Sequence, residues 1–257
     1  MVESPHSPRV APRVAVVTGA GGGLGRAFAT ALAQEGWSVA ALGRSVGTLE
    51  ATVEACRTAG DTAGGSADHL AVVCDVTDES SVSAAFDQVT STLGGLDLLV
   101  NNAGVPGATG RIDTVDAAAF EATIATNLTG TFLCTRAAFS WMAAHGGGRV
   151  VNNGSIAAHA PRAGAAAYAA SKAAVASLTV STALDGRGRG ITATELDIGN
   201  AATELLGTFT AADPAAEPTF DAAEAARLLV SVADMPTGVS VDRVTVTAAG
   251  MPYLGRG

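Results

Sequence analysis

A chain of 257 residues is long enough to bury one substantial core, and 48% hydrophobic residues with 31 glycines are typical of a compact fold with many tight turns. A formal net charge of −9, without any lysine- or arginine-rich run, argues against nucleic acid as a partner. No apolar run reaches the roughly 18 to 20 residues of a membrane span, so we expect no membrane partner.

The first residues contain three prolines and lack the apolar region of a signal peptide. We therefore predict a flexible leader over residues 1–12, a single domain over residues 13–257 and a cytoplasmic protein. The cysteines agree with that compartment. Cys56, Cys74 and Cys134 are odd in number, widely spaced and outside any metal-binding pattern, so they are expected to be buried free thiols in a reducing environment.

The first apolar run, residues 13–19, ends in glycine and is followed by a glycine-rich turn and a helical pattern. Strand, glycine turn and helix is the order that presents a helix N-terminus to a phosphate group. The spacing of Gly19, Gly23 and Gly25 fits T-G-x-x-x-G-x-G and not G-x-G-x-x-G. A plain flexible turn is the alternative, and phosphate binding is the favoured interpretation.

A second buried strand is predicted over residues 38–43, and Arg44 and Ser45 open the loop after it. In dinucleotide folds an acidic residue at this strand end binds the 2′-hydroxyl of NAD, whereas an arginine accommodates the 2′-phosphate of NADP. Gly43 occupies the acidic position and Arg44 follows it. NADP(H) is therefore preferred over NAD(H), although an arginine solvated at a helix start is the simpler alternative.

Two more strands are predicted over residues 70–74 and 97–101, and each is followed by polar residues. Asp75 is a candidate adenine contact, whereas Asp78 fits a helix cap better. Asn102 follows the other strand. Alternating strands and helices predict an α/β fold of Rossmann type, with a doubly wound, mainly parallel sheet flanked by helices on both faces and ligands at the carboxyl ends of its strands.

A long helix is predicted over roughly residues 116–145, with Asn127 on its apolar stripe. A buried asparagine must find hydrogen bonds or cost a few kcal/mol, so it either serves the site or makes a satisfied contact between helices.

The segment from Ser155 to Lys172 holds a serine, a tyrosine and a lysine. Tyr168 and Lys172 are four residues apart and so project from the same face of a helix. A phenol normally titrates near pH 10, and a neighbouring cation favours its ionised form. Ser155, in the loop before the helix, is expected to reach an oxygen held by Tyr168, and two donors would polarise a carbonyl. An ordinary helix pair is the alternative.

Six motifs, TGAGGGLG, CDV, NNAG, ATNLTG, the serine of NNGS and YAASK, occur in this order. In their order and rough spacing the chain resembles the short-chain dehydrogenase/reductase family over about residues 13–203. The resemblance implies an NAD(P)-dependent oxidoreductase acting on a small carbonyl or alcohol substrate. It implies catalytic roles for Ser155, Tyr168 and Lys172, and a role for Asn127 in holding a water of the proton relay.

The resemblance also implies a cofactor site. Lys172 would grip the ribose, and Tyr168 would also contact the cofactor. The remaining positions are Gly19, Gly23, Leu24 and Gly25 for the pyrophosphate turn, Arg44 for the 2′-phosphate, Asp75 and Val76 for adenine, Asn102 beside the cofactor ribose and Thr203 near the carboxamide. Ser45, Ala103, Gly104 and Gly199 are further expected cofactor contacts. No metal is expected.

The chain departs from the family pattern at two points. Gly22 occupies a position that is often basic in NADP-preferring members, so Arg44 acts alone in this interpretation. Ile198 precedes Gly199 where the family usually has Pro-Gly, so the backbone at the nicotinamide site is expected to run differently. Residues 205–219 fall where the family forms a substrate lid. For His159, Arg162 and Trp141, near the predicted pocket mouth, surface or packing roles are preferred.

The resulting hypothesis is hydride transfer between nicotinamide and a carbonyl or secondary alcohol. An epimerase or dehydratase with transient nicotinamide chemistry is disfavoured by the compact length. A catalytically silent NADP(H) sensor of the same fold is the alternative from another class, although no catalytic residue is missing. The alanine-rich helix around Tyr168 and the helix before it are expected, from the resemblance, to build a homodimer or homotetramer, with the tetramer preferred.

Overall fold

The computed structural model describes residues 13–62, 67–203 and 218–253. The predicted leader (1–12) and most of the predicted lid segment (205–217) lie outside the described residues.

Seven described strands form one sheet in which every neighbouring pair is parallel. They are β1 (Val14–Thr18), β2 (Ser38–Gly43), β3 (Leu70–Val73), β4 (Leu98–Asn101), β5 (Gly148–Asn153), β6 (Ile191–Ile198) and β9 (Arg243–Val246). Two short strands, β7 (Ala201–Ala202) and β8 (Phe220–Asp221), pair separately. The order in the large sheet is β3-β2-β1-β4-β5-β6-β9, and it reverses direction between β1 and β4.

Helices cover both faces of the sheet, as the alternation of elements predicts. They are α1 (Gly23–Gln34), α2 (Val46–Thr62), α3 (Glu79–Leu93), α4 (Ala117–Ile124), α5 (Gly130–Ala144), α6 (Ala166–Gly186) and α7 (Ala222–Ala233). One buried cluster joins α1, α2 and α7 to the sheet through side chains such as Phe28 and Leu229. A second cluster joins α3 and α5 to the opposite face through Phe86 and Met142. The predicted fold class is confirmed.

The helix predicted over residues 116–145 contains an irregularity. Its α4 and α5 parts are joined by a five-residue π-helical segment, Ala125–Thr129. Such wide turns occur frequently at functional sites, because they shift the face that the following residues present.

Several helix starts follow directly from the local sequence. The Asp78 side chain accepts hydrogen bonds from the backbone N–H groups of Ser80 and Ser81 and so caps α3, which confirms the prediction for this residue. Asp116 and Asp221 cap α4 and α7 in the same manner. None of the described helices combines the length and the hydrophobicity needed to cross a bilayer.

Candidate active site

The glycine turn after β1 lies at the point where the strand order reverses, which is where open α/β sheets bind ligands. Gly19 and Gly23 have φ angles of 63° and 51°, in the left-handed region that favours glycine. At Gly25 a Cβ atom would lie 2.2 Å from the Gly19 carbonyl oxygen, so the close approach of turn and helix requires glycine. Within the described residues no side chain caps the start of α1, so its first N–H groups remain available to an anion.

Arg26 stabilises this turn from the first helix, and sequence reasoning missed it. Its guanidinium donates to the carbonyl oxygen of Gly21 at 2.7 Å and to the hydroxyl of Thr52 at 3.0 Å. These bonds hold the glycine turn between α1 and α2. An arginine directly after the last glycine was the available indication.

A chain of polar contacts runs across the carboxyl ends of β1, β4 and β5. The Thr18 hydroxyl accepts from the Asn102 backbone N–H at 3.0 Å, and the Asn102 amide donates to the carbonyl oxygens of Thr18 and Gly19. Asn153 donates to the side-chain oxygen of Asn102 at 3.0 Å. The Lys172 ammonium, on α6, donates to the Asn153 carbonyl oxygen at 2.7 Å. The glycine turn and Lys172 are thus linked through three strand ends.

The structure brings Ser155, Tyr168 and Lys172 to one crevice. Lys172 is only 6% exposed, and its Nζ lies 5.7 Å from the centroid of the half-buried Tyr168 ring. The Ser155 hydroxyl oxygen accepts from the Ala157 backbone N–H at 3.2 Å. Since that bond uses a lone pair, the hydroxyl proton of Ser155 stays available to a second acceptor.

The crevice has a volume of about 670 Å³, and most of the predicted cofactor residues line it. Thr203 reaches across to the glycine turn, because its side chain lies within 3.7 Å of where a Cβ of Gly23 would be. The predicted residues that line the crevice, besides the three above, are Gly19, Gly23, Leu24, Asn102, Ala103, Gly104, Gly199 and Thr203.

Four predicted adenosine contacts lie outside this crevice. Arg44 and Ser45 are exposed after β2. The Asp75 carboxylate accepts from the N–H and the hydroxyl of Thr77, and these two bonds, with a smaller contribution from the positive charge of Arg44, lower the pKa of Asp75. Val76 is buried and packs on α5, where a Cβ at Gly130 would lie 2.7 Å from it.

Asn127, in the π-helical segment, is buried one layer behind the crevice. Its amide donates to the Val105 carbonyl oxygen and the Ser171 hydroxyl, and its oxygen accepts from the Val105 N–H at 2.8 Å. The side chain therefore makes the satisfied contact that was one of the two alternatives, and it anchors the loop after β4 to α6.

The three candidates at the predicted pocket mouth lie in three different surroundings. Arg162 lines the crevice. Trp141 stacks on His145, with ring centroids 3.7 Å apart, in a different groove beside α3. His159 Nε2 lies 2.9 Å from a carboxylate oxygen of Asp197.

Asp197 was not predicted as a site residue. It is fully buried near the end of β6, and its other carboxylate oxygen accepts from the Ser155 backbone N–H at 3.0 Å. Glu195 lies two residues earlier on the same face of the strand and pairs with Arg243. Two acids at alternate positions of a strand were the available indication. Met251, Pro252 and Tyr253 also line the crevice and were not predicted.

Ile198 takes the place of the family proline without breaking the strand. It pairs with Val246 of β9, and the N–H of the next residue, Gly199, donates to the Val246 carbonyl oxygen at 2.8 Å. The sheet therefore continues through this position to the crevice wall.

A doubly wound parallel sheet with an uncapped glycine turn at its switch point, facing a tyrosine–lysine pair, defines a dinucleotide-binding oxidoreductase. Comparison with known proteins narrows this class. A family model described as short chain dehydrogenase matches residues 13–214. The chain belongs to the short-chain dehydrogenase family, and it is an NAD(P)-dependent oxidoreductase.

Individual relatives agree. Cis-4-hydroxycyclohexanecarboxylate dehydrogenase of Sinomonas cyclohexanicum is 39% identical over 196 residues, which cover 76% of each chain. A solved structure of actinorhodin polyketide ketoreductase with NADPH has a TM-score of 0.83 at 26% identity and covers 91% of this chain and 95% of that one. NAD⁺-bound xylitol dehydrogenase has a TM-score of 0.83 at 27% identity, covering 93% and 99%.

Proposed function

We propose that the protein transfers a hydride between NADP(H), preferred over NAD(H), and a carbonyl or secondary-alcohol carbon of a small, largely apolar substrate. The observation that carries this proposal is the convergence of Ser155, Tyr168 and Lys172 on a crevice that also contains the glycine turn. The nicotinamide, when bound, supplies the two-electron chemistry, and the protein supplies binding, orientation and proton transfer.

The residues present fit such a cofactor. Gly19, Gly23 and the uncapped first turn of α1 suit a pyrophosphate, because the backbone is open to close approach and its N–H groups are available. Lys172, fixed by the Asn153 carbonyl, would hold a ribose hydroxyl. Asn102, Gly199 and Thr203 line the same crevice.

Tyr168 is proposed to donate a proton to the developing alkoxide during reduction. The Nζ of the buried Lys172 lies 5.7 Å from the centroid of the Tyr168 ring. Ser155 holds its oxygen against the Ala157 N–H, so its own proton stabilises the same substrate oxygen. Asn127 is proposed to support this arrangement by fixing the loop at Val105. That Asn127 also holds a water of the proton relay stays a prediction from the family resemblance.

The preference for NADP(H) is proposed from the end of β2. Gly43 offers no carboxylate to a ribose 2′-hydroxyl, and Arg44 is exposed next to it. The structural relatives include one with NADPH and one with NAD⁺, so support for the preference comes from these two residues. Arg44, Ser45, Asp75 and Val76 are proposed to surround the adenosine.

The substrate is proposed to be a compact alcohol or ketone with an apolar ring or branched body. Val105, Pro106, Ile156 and Met251 supply apolar walls, and Arg162 adds a cationic side chain to the lining. Cis-4-hydroxycyclohexanecarboxylate dehydrogenase is named for an alicyclic alcohol, which supports the corresponding cyclic keto acids as the first compounds to test in the reducing direction.

The proposal is tested by following NADPH oxidation at 340 nm with a panel of cyclic and acyclic ketones. The Tyr168→Phe variant should lose turnover by about 1000-fold or more while keeping its NADPH affinity. Tyr253→Phe is the matched control, since it removes the hydroxyl of the other tyrosine that lines the crevice, and it should keep most of its turnover. Tight NADPH binding without turnover in the unaltered protein would favour the silent sensor, and a fully active Tyr168→Phe variant would refute the catalytic assignment.

A homotetramer is also proposed, together with a cytoplasmic location. Phe132 of α5 and Val180 and Leu184 of α6 are exposed, although large apolar side chains usually gain about 1.5 to 3 kcal/mol from burial. Light scattering of the purified protein should give a mass four times that of one chain, and the mass of a monomer would contradict the proposed interface. The three buried free cysteines support a reducing compartment.

A further inference from the structure

A single buried carboxylate binds both ends of the segment that carries Ser155. One oxygen of Asp197 accepts from the Ser155 backbone N–H at 3.0 Å, and the other lies 2.9 Å from His159 Nε2. Between these two residues lies the short 3₁₀ turn Ile156–Ala158. The end of β6 therefore fixes a five-residue segment, residues 155–159, at its first and last positions.

The surroundings compensate the charge of this carboxylate. Arg243 Nε lies 2.8 Å from Glu195 Oε2 and 3.8 Å from Asp197 Oδ2, so one guanidinium faces both acids. At Gly154 a Cβ atom would lie 2.5 Å from Asp197 Oδ1, so the residue before Ser155 leaves room for the carboxylate only as glycine. The acids and His159 are the ligand types of a metal site, but Arg243 already supplies the positive charge there.

We propose that Asp197 is a positioning residue: with His159 as its second anchor, it holds the 155–159 segment so that the Ser155 hydroxyl faces the substrate oxygen. This inference rests on the proposed function. Hydrogen bonds to an ionised acceptor are roughly twice as strong as neutral ones, and a carboxylate with two donors on opposite oxygens resists rotation. Loss of this anchor would let the serine hydroxyl move, and displacements of about 1 Å in such groups cost on the order of 100-fold in rate.

Glu195 offers a matched control within the same cluster. It is another buried acid, two residues away on the same face of β6, and it pairs with Arg243. Its hydrogen bonds within the described residues do not reach the 155–159 segment. Glu195→Gln and Asp197→Asn make the same chemical change, so any difference between them reports the contacts of Asp197 with Ser155 and His159.

In Asp197→Asn the amide oxygen can still accept from the Ser155 N–H, but the amide NH₂ must then donate to His159. That bond requires a neutral ring with a free Nε2 lone pair, whereas the native carboxylate accepts from His159 whether the ring is neutral or protonated. The groups facing this bond are Glu195 from the same strand and Arg243 from β9. The rate of the asparagine variant relative to the native protein should therefore fall at acid pH.

The experiment measures kcat and NADPH affinity at pH 8 and pH 6, with thermal melting as a check on folding. Asp197→Ala should lower kcat on the order of 100-fold with NADPH affinity within about threefold. Asp197→Asn should stay within about tenfold of the native kcat at pH 8 and lose at least a further tenfold at pH 6. The kcat of Glu195→Gln should stay within about twofold of the native value at both pH values. His159→Gln, which keeps an N–H donor, should retain more activity than His159→Leu.

Amide hydrogen exchange gives a second readout that needs no turnover. Exchange within residues 155–159 should accelerate in both Asp197 variants and stay native in Glu195→Gln. If the unaltered protein showed no turnover with any substrate tested, that result would count against the proposed function alone, because the exchange measurement would still decide whether Asp197 holds the 155–159 segment. Native exchange and a native pH profile in Asp197→Asn, or equal losses in Glu195→Gln, would overturn the inference.

Discussion

The contact between Gly25 and the glycine turn predicts how much a Gly25→Ala substitution should lower stability and NADPH affinity. In a Gly25→Ala variant the new Cβ would lie 2.2 Å from the Gly19 carbonyl oxygen and 2.6 Å from the Asn102 amide nitrogen. The carbonyl belongs to the backbone, so it cannot rotate away as a flexible side chain would. The turn must therefore separate from α1.

The magnitude follows from three contributions. Alanine is favoured over glycine within a helix by up to about 1 kcal/mol, which stabilises the variant. Overpacking a dense contact costs about 1–3 kcal/mol. The Asn102 amide also donates to the carbonyls of Thr18 and Gly19, and each such bond that breaks costs about 0.5–1.5 kcal/mol. The net destabilisation is about 1–3 kcal/mol, or roughly 2 to 12 °C in melting temperature for a chain of this size.

Calorimetric melting and NADPH titration check this prediction. NADPH affinity should fall by about tenfold or more, since a displacement of the turn that costs about 1.4 kcal/mol in binding corresponds to that factor. Gly47→Ala is the matched control, because Gly47 also lies in the first turn of a helix, α2, and a Cβ there meets nothing within 4 Å beyond its own neighbours and helix backbone. It should melt at the native temperature or above. If Gly25→Ala and Gly47→Ala behave alike, the steric reasoning is wrong.

Three further changes are predicted. Arg44→Ala should weaken NADPH binding by about 10- to 100-fold in calorimetric titration, because a charge-assisted bond to the 2′-phosphate is worth about 1.5–3 kcal/mol. NADH binding should stay within about twofold, and equal losses for both cofactors would contradict the assignment of Arg44. Burial, then the neighbouring Asp197, raises the pKa of Glu195, so the contribution of Glu195 to stability is lost as pH rises through that raised value, and Glu195→Gln should raise the melting temperature more at pH 8 than at pH 4; a pH-independent difference would count against this. Burial raises the pKa of Cys56 to about 11 and also raises that of Cys134. A thiol reagent should therefore react with these cysteines only after denaturant unfolds the protein, and rapid reaction without denaturant would refute this prediction.

Much of the fold follows from local patterns in the sequence. The strand over residues 38–43 has the bounds that the sequence predicts, because it is a clear apolar pattern that glycine terminates. The glycine turn and the tyrosine–lysine pair were also predictable, since their geometry depends on spacing within one turn or one helix.

The features that were missed depend on contacts between distant segments. The bond from Asp197 to Ser155 joins residues 42 positions apart, and only the pairing of β5 with β6 brings them together. The hydrogen bonds of the π-helical segment at Asn127 span five residues where those of an α-helix span four, and a segment of five residues is too short for the apolar pattern to show this difference. Tyr253 reaches the crevice from the far end of the described chain, where no local pattern indicates it.

The central claim is that a hydride passes from the cofactor to the carbonyl carbon of a substrate whose oxygen is bound by Tyr168. Deuterium labelling tests this claim most directly. A ketone that the protein reduces is incubated with NADPH carrying deuterium at the transferable C4 position, and the alcohol is examined by mass spectrometry and NMR. One deuterium on the carbinol carbon, with turnover abolished in Tyr168→Phe, is the predicted result. An alcohol without deuterium on that carbon, or labelling that persists at the native rate in Tyr168→Phe, would contradict it.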